Sequence, residues 1–217
     1  MTTAVIFDLD GTLLDTLESL AEAFNSALRS MGCPPHALDE YQRIIGDGAR
    51  VAVERALPPE ALSEASIQHC LELFRDYYGD LWRTATIYPG VIELLETQRN
   101  RRPLAVLSNK DQAFTQQCTD HFFPGFFDIS VGFSDTVNHK PDPTGAQLIA
   151  DHLQTKLNDL WMVGDTATDM KTASATGMIG VGVTWGFRDR VELETNGASF
   201  IIEKPAELSE LLKRKKS

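Results

Sequence analysis

Thr3-Ala4-Val5-Ile6-Phe7-Asp8-Leu9-Asp10-Gly11-Thr12-Leu13 is the stretch on which the fold turns. Its apolar run through Phe7 is short and unbroken, as in a strand buried on both faces, and Gly11 marks the turn that ends it. From about Thr16 to Thr84 no comparable run occurs. There Leu20, Phe24, Ala27, Leu28 and Met31, then Leu71, Phe74, Tyr78 and Leu81, recur at helical spacing. Past Pro89-Gly90 strand-like runs return at 103–108, 128–132, 159–164, 179–183 and 199–202, with amphipathic segments between them. Such alternation predicts an α/β fold, a doubly wound and mostly parallel sheet with helices on both faces. The chain therefore divides into an α/β core from residues 1–15 and 85–217 and an inserted all-helical domain at 16–84.

Asp and Glu number 31 against 20 Lys and Arg, a formal charge of −11 that opposes non-specific contact with nucleic acid or anionic membrane. With 42% hydrophobic and 24% charged residues the chain has a globular composition. No stretch reaches the roughly 18 consecutive apolar residues of a membrane span, and no signal-peptide pattern opens the chain, so a cytoplasmic location is expected. Cys33, Cys70 and Cys118 form no CxxC pair and are expected to be ordinary reduced thiols. The basic run Lys213 to Lys216 is expected to be a solvated helix end that complements the helix dipole.

Open α/β sheets bind ligands outside the carboxyl ends of their strands, which directs attention to the residues just past each run. The first run ends in Asp8-Leu9-Asp10-Gly11-Thr12, the second in Ser108-Asn109-Lys110, the fourth in Gly164-Asp165-Thr166-Ala167-Thr168-Asp169, and Lys140-Pro141-Asp142-Pro143 precedes a helix. Asp8 and Asp10, two apart on an extended chain, point to one side. Two such charges about 4 Å apart repel by about 4 kcal/mol at an effective dielectric near 20, and Asp165 and Asp169 add to the repulsion. A positive group must offset them. Carboxylate oxygens without His or Cys select Mg²⁺ over zinc, and Mg²⁺ binds readily through a few carboxylates and a substrate phosphate. His139, beside Lys140 on a polar loop, is expected to be solvated.

These four segments, in this order and with a helical insert after the first, resemble the motifs of the haloacid dehalogenase superfamily, in the branch of the phosphoglycolate phosphatases. The resemblance implies a Rossmann-like core with a helical cap, and a Mg²⁺-dependent phosphatase acting on a small phosphorylated metabolite. Asp8 would be the nucleophile that forms an aspartyl-phosphate, and Asp10 the acid that protonates the leaving alkoxide and then the base that activates water. Asp10 favours phosphoryl transfer over dehalogenation, since a departing halide needs no proton. Ser108 and the Asn109 backbone would bind phosphoryl oxygens, with Lys140 neutralising their charge. Gly11 would turn the chain beneath the phosphate and Thr12 would hydrogen-bond to it. Asp8, the Asp10 carbonyl, Asp165 and Asp169 would hold Mg²⁺, with Asp169 read alternatively as a helix cap.

Substrate choice would reside in the cap, and above all in Gly46-Asp47-Gly48-Ala49-Arg50, where Arg50 would pair with a substrate carboxylate or second phosphate, with Lys110 as a further contact. A 2-phosphoglycolate-like ester suits two positive groups. Pyrophosphatase, nucleotide or sugar phosphatase and β-phosphoglucomutase-like chemistry share the core motifs and stay open, as does, from another class, a non-enzymatic phospho-receiver. A monomer or homodimer is expected.

Overall fold

The computed structural model describes residues 3–214. The chain runs β1 (Ala4–Phe7), β2 (Leu14–Asp15), α1 (Leu17–Ser30), α2 (Tyr41–Ile44), α3 (Ala49–Ala56), α4 (Glu64–Leu81), β3 (Thr86–Ile87), α5 (Val91–Arg99), β4 (Leu104–Asp111), α6 (Gln112–Phe122) and β5 (Ile129–Phe133). It continues through α7 (Thr144–His152), β6 (Leu160–Gly164), α8 (Ala167–Thr176), β7 (Ile179–Val183), α9 (Arg190–Thr195), β8 (Phe200–Ile202) and α10 (Pro205–Arg214).

Six strands form one parallel sheet in the order β5-β4-β1-β6-β7-β8. Side chains alternate across it. Val5 and Phe7 pack on one face with Val106, Val163 and residues of α5 and α10, whereas Ala4 and Ile6 pack on the other with Leu107, Met162 and residues of α7. Both faces are covered, which is why the strands read as continuous apolar runs. β1 is central: its own connection leads to β4 on one side, and after β5 the chain crosses to β6 on the other. The carboxyl ends of these three strands therefore meet at the switch point where such sheets bind ligands.

Residues 16–84 contain helices and no strand. Helix α1 packs along α4, and the Phe24 and Phe74 rings stack between them with centroids 4.0 Å apart. Burying each such ring is worth about 1.5–3 kcal/mol. Where this segment leaves and rejoins the rest, β2 and β3 pair as a two-stranded antiparallel ribbon. No helix among the described residues is long and apolar enough to cross a membrane. Cys33, Cys70 and Cys118 are free thiols. Of the basic C-terminal run, Lys213 bonds Glu210 at 2.6 Å, while Lys215 and Lys216 lie outside the described residues.

Candidate active site

The ends of β1, β4 and β6 bring Asp8, Asp10, Ser108, Asn109, Lys110 and Asp165 together, and Lys140 and Asp169 join them from the segment before α7 and the first turn of α8. Lys140 is the centre of the charge arrangement. Its ammonium lies 2.8 Å from Asp8 Oδ1 and 2.7 Å from Asp169 Oδ1, with a side chain only 2% exposed. Its backbone is fixed as well, because the Lys140 N–H donates to Asn109 Oδ1 at 2.6 Å and the Asn109 amide donates to the Lys140 carbonyl at 3.3 Å.

Asp8 Oδ1 also accepts the Leu9 N–H at 2.7 Å, while Oδ2 carries no hydrogen bond among the described residues. Asp10 divides its two oxygens likewise. Oδ2 is 3.0 Å from Lys110 Nζ, and Oδ1 is buried with no partner among the described residues. An orphaned buried acceptor costs about 1–3 kcal/mol, which makes it a place where a partner arrives during function.

Asp165 is wholly buried, accepting from the Thr12 hydroxyl at 2.9 Å and the Phe187 N–H at 2.8 Å. Gly11 is required beneath it: its φ is +81°, and a side-chain Cβ there would overlap the Asp165 carboxylate. Asp169 accepts from the Thr166 N–H at 3.1 Å and hydroxyl at 2.9 Å, forming a reciprocal capping box at the start of α8. The helix-cap alternative for Asp169 thus holds together with its place in the cluster.

One carboxylate oxygen from each of Asp8, Asp165 and Asp169 lies within 4.8 Å of the others. Against three acids stands one buried ammonium. Burial, then Asp169, raises the Asp8 carboxyl well above the usual carboxylate range, with Lys140 opposing. Asp165 is pushed up to about 7 by burial and then by Asp169, with the Phe187 N–H and Thr12 working against the rise. The donor set is all oxygen, carries surplus negative charge and has no His or Cys, which fits a hard divalent cation.

A carboxyl raised in the folded state contributes stability below its unfolded value near 3.8 and loses it as pH climbs through the folded value, here near 7 for Asp165. A divalent cation binds the deprotonated form, so the rise in melting temperature on adding one should be near zero at pH 4 and grow through pH 7. Melting with and without metal across that window tests this. Taking the difference at each pH removes exposed carboxylates such as Glu40 and Asp142, which are lowered. A metal effect of constant size at every pH would contradict it.

Three expectations are corrected. Arg50 is not brought to the site: its guanidinium pairs with Glu64 at 2.6 Å and Glu54 at 3.0 Å, and the side chain is 45% exposed. Gly48 and Ala49 line the pocket, whereas Arg50, one residue further along α3, faces the glutamates. The Thr12 hydroxyl is committed to Asp165 and so is not available to a phosphate as expected. His139 is not solvated. It stacks on Phe133 at 3.8 Å, is half-buried against Gly48, and burial lowers its pKa.

Lys110 does reach the site, 2.9 Å from the Tyr78 hydroxyl and 3.0 Å from Asp10. The pocket above Asp8 and Asp10 is otherwise walled largely by apolar side chains of the helical segment, including Leu20, Phe24, Ala52 and Phe74. Sequence reasoning missed Phe187, Arg188 and Tyr78. The first two follow β7, where the rule that located the other loops applies equally. Helical spacing alone marks Tyr78 as a core position.

The loop at 45–48 borders the pocket and is tied to the core at three points. The Asn109 amide donates to the Gly46 carbonyl at 3.2 Å, Arg188 donates to the Ile45 carbonyl at 2.9 Å, and the Thr168 hydroxyl donates to Asp47 at 2.5 Å.

Comparison with known proteins agrees with this geometry. A family model described as haloacid dehalogenase-like hydrolase matches residues 5–183. The chain is 31% identical over 205 residues to phosphoglycolate phosphatase 1 of Pseudomonas aeruginosa, covering 92% of this chain and 75% of that one. It is 28% identical over 216 residues to a phosphoglycolate phosphatase of Vibrio parahaemolyticus, covering 96% and 95%. Among solved structures, a haloacid dehalogenase-like hydrolase of Streptococcus pneumoniae superposes with a TM-score of 0.88 at 27% identity, over 97% of this chain and 98% of that one.

Proposed function

Because the chain belongs to the haloacid dehalogenase-like hydrolases, we propose that it is a Mg²⁺-dependent phosphatase that hydrolyses a small, 2-phosphoglycolate-like phosphomonoester through an aspartyl-phosphate on Asp8. Residues 1–15 and 85–217 form the catalytic core in this reading, and 16–84 the cap. The observation that carries it is that Asp8 and Asp10 line one pocket and each leaves one carboxylate oxygen without a hydrogen-bond partner among the described residues. The names of the relatives support the choice of substrate.

Asp8 Oδ2 is the oxygen left to attack phosphorus, since Oδ1 is engaged by Lys140 and the Leu9 N–H. As the P–O bond to the leaving group breaks, protonated Asp10 transfers its proton to the departing alkoxide. Asp10, now a carboxylate, takes a proton from water, which attacks phosphorus and releases phosphate and Asp8. Ser108 and the Asn109 N–H donate to phosphoryl oxygens, and Lys140 offsets their charge from beside Asp8. Mg²⁺ would be held by Asp8, Asp165 and the Asp10 carbonyl, with Asp169 next to them. Bound there, the ion neutralises charge between the carboxylates and the phosphate.

Phosphate release from 2-phosphoglycolate, pyrophosphate, and sugar and nucleotide phosphates, with Mg²⁺ and with excess chelator, tests the proposal. Release that depends on metal and is highest with one small phosphomonoester is expected. Isomerised sugar phosphate without net phosphate release would overturn hydrolysis in favour of a mutase, and no reaction with any of them would overturn the phosphatase reading itself.

A further inference from the structure

We infer that Tyr78 and Lys110 together seat a carboxylate on the leaving group of the substrate. This rests on the phosphatase reading and adds the residues that select an acidic ester. Tyr78 lies near the end of α4, its ring stacked on Phe74 at 5.4 Å and edge-on to Phe114 at 5.0 Å, so the hydroxyl is held in a fixed position.

The unused protons make the case. An ammonium has three N–H donors. Lys110 directs one to Asp10 Oδ2 at 3.0 Å and one to the Tyr78 hydroxyl at 2.9 Å, and the third has no acceptor among the described residues. The Tyr78 oxygen accepts from Lys110, and its own O–H likewise has no acceptor there. Burial drives the Tyr78 pKa well above its usual value, so its hydroxyl remains a donor at neutral pH. Two spare donors on atoms 2.9 Å apart can each bond one oxygen of a single carboxylate.

Position and surroundings agree. Asp10 serves the leaving oxygen, and Lys110 is in direct contact with Asp10, so a carboxylate one carbon from the ester oxygen falls beside Lys110 and Tyr78. Lys110 is the one cation among the described residues that line the pocket. Apolar walls offer no competing donors and strengthen the bonds that do form. Arg50, the cation that sequence placed in this role, is bound to Glu54 and Glu64 outside the pocket.

The test is Tyr78→Phe, which removes the hydroxyl and keeps the ring. Rates are compared on 2-phosphoglycolate and on ethyl phosphate, a neutral ester of similar size. The ratio of kcat/KM for the acid to that for the neutral ester should fall by roughly 10-fold to 100-fold, chiefly through KM, as loss of a hydrogen bond to a charged group predicts. Turnover of ethyl phosphate by the same preparation reports on its folding. A second readout needs no turnover: in the Asp8→Asn background, Tyr78→Phe should weaken calorimetric binding of 2-phosphoglycolate by a similar factor while binding of ethyl phosphate changes less than about 2-fold.

An unchanged acid-to-neutral ratio together with unchanged binding overturns the carboxylate seat and leaves the phosphatase reading intact. Wild-type protein that releases no phosphate from either ester overturns the phosphatase reading, and the seat with it.

Discussion

Replacing Asp8 by Asn is expected to reduce phosphate release by about four orders of magnitude or more while leaving a folded and, without metal, more stable protein. The activity loss follows from the nucleophile, because the amide has the shape of the carboxylate but does not displace an alkoxide from phosphorus. The stability gain follows from the charges. Asp8, Asp165 and Asp169 share a buried space with one ammonium, and burial and Asp169 together disfavour ionisation of Asp8. Removing one of three acids relieves that repulsion, and in a chain of this size each kcal/mol recovered raises Tm by about 2–4 °C. The oxygen that the amide retains can still accept from the Leu9 N–H. Phosphate assays and thermal melts in chelator check the two halves separately, and a variant with wild-type turnover would remove Asp8 from the chemistry.

Lys140→Met is expected to do the opposite to stability and to lose most of the activity. Its ammonium touches both Asp8 and Asp169, and Met leaves two carboxylates buried without a cation. Breaking a buried ion pair in this way costs about 3–5 kcal/mol. The penalty depends on pH with a definite sign. The carboxyl of Asp8 is already raised in the folded protein, and with Lys140 gone it rises further, so at low pH the site takes up protons and the penalty shrinks. Urea unfolding in chelator at pH 5 and pH 7.5 should give a larger loss at the higher pH. A loss below about 1 kcal/mol at both values would mean that Lys140 does not hold the acids together.

The sheet was legible in the sequence because its inner strands are buried on both faces, so that each forms an apolar run of its own. The ribbon of Leu14–Asp15 with Thr86–Ile87 was not, since two residues per strand carry no period. Core site residues were legible because they follow strands, and Lys140 does so through the short segment after β5. Arg50 was misplaced because sequence adjacency to Gly-x-Gly does not say which way an α3 side chain faces. The spacing of Arg50 and Glu54, four apart on one helix, was a readable sign of its true partner. Thr12 failed for another reason: a hydroxyl beside a candidate phosphate site can equally serve a carboxylate, and only the tertiary contact with Asp165 decides. Tyr78 shows the same limit, as its ring obeys the helical period while its hydroxyl depends on a lysine 32 positions away.

The three ties on the loop at 45–48 act as an interlock. Asn109 stands next to Ser108, Thr168 next to Asp169, and Arg188 next to the Phe187 N–H that orients Asp165. Each tie is therefore fastened to a different loop of the reaction centre, and each contributes about 0.5–1.5 kcal/mol when formed. All three bonds form together only when the three segments hold the positions seen here, and a displacement of any one of them weakens the hold on this loop. Under the proposed function, covering the substrate and assembling the groups that act on it would be a single event.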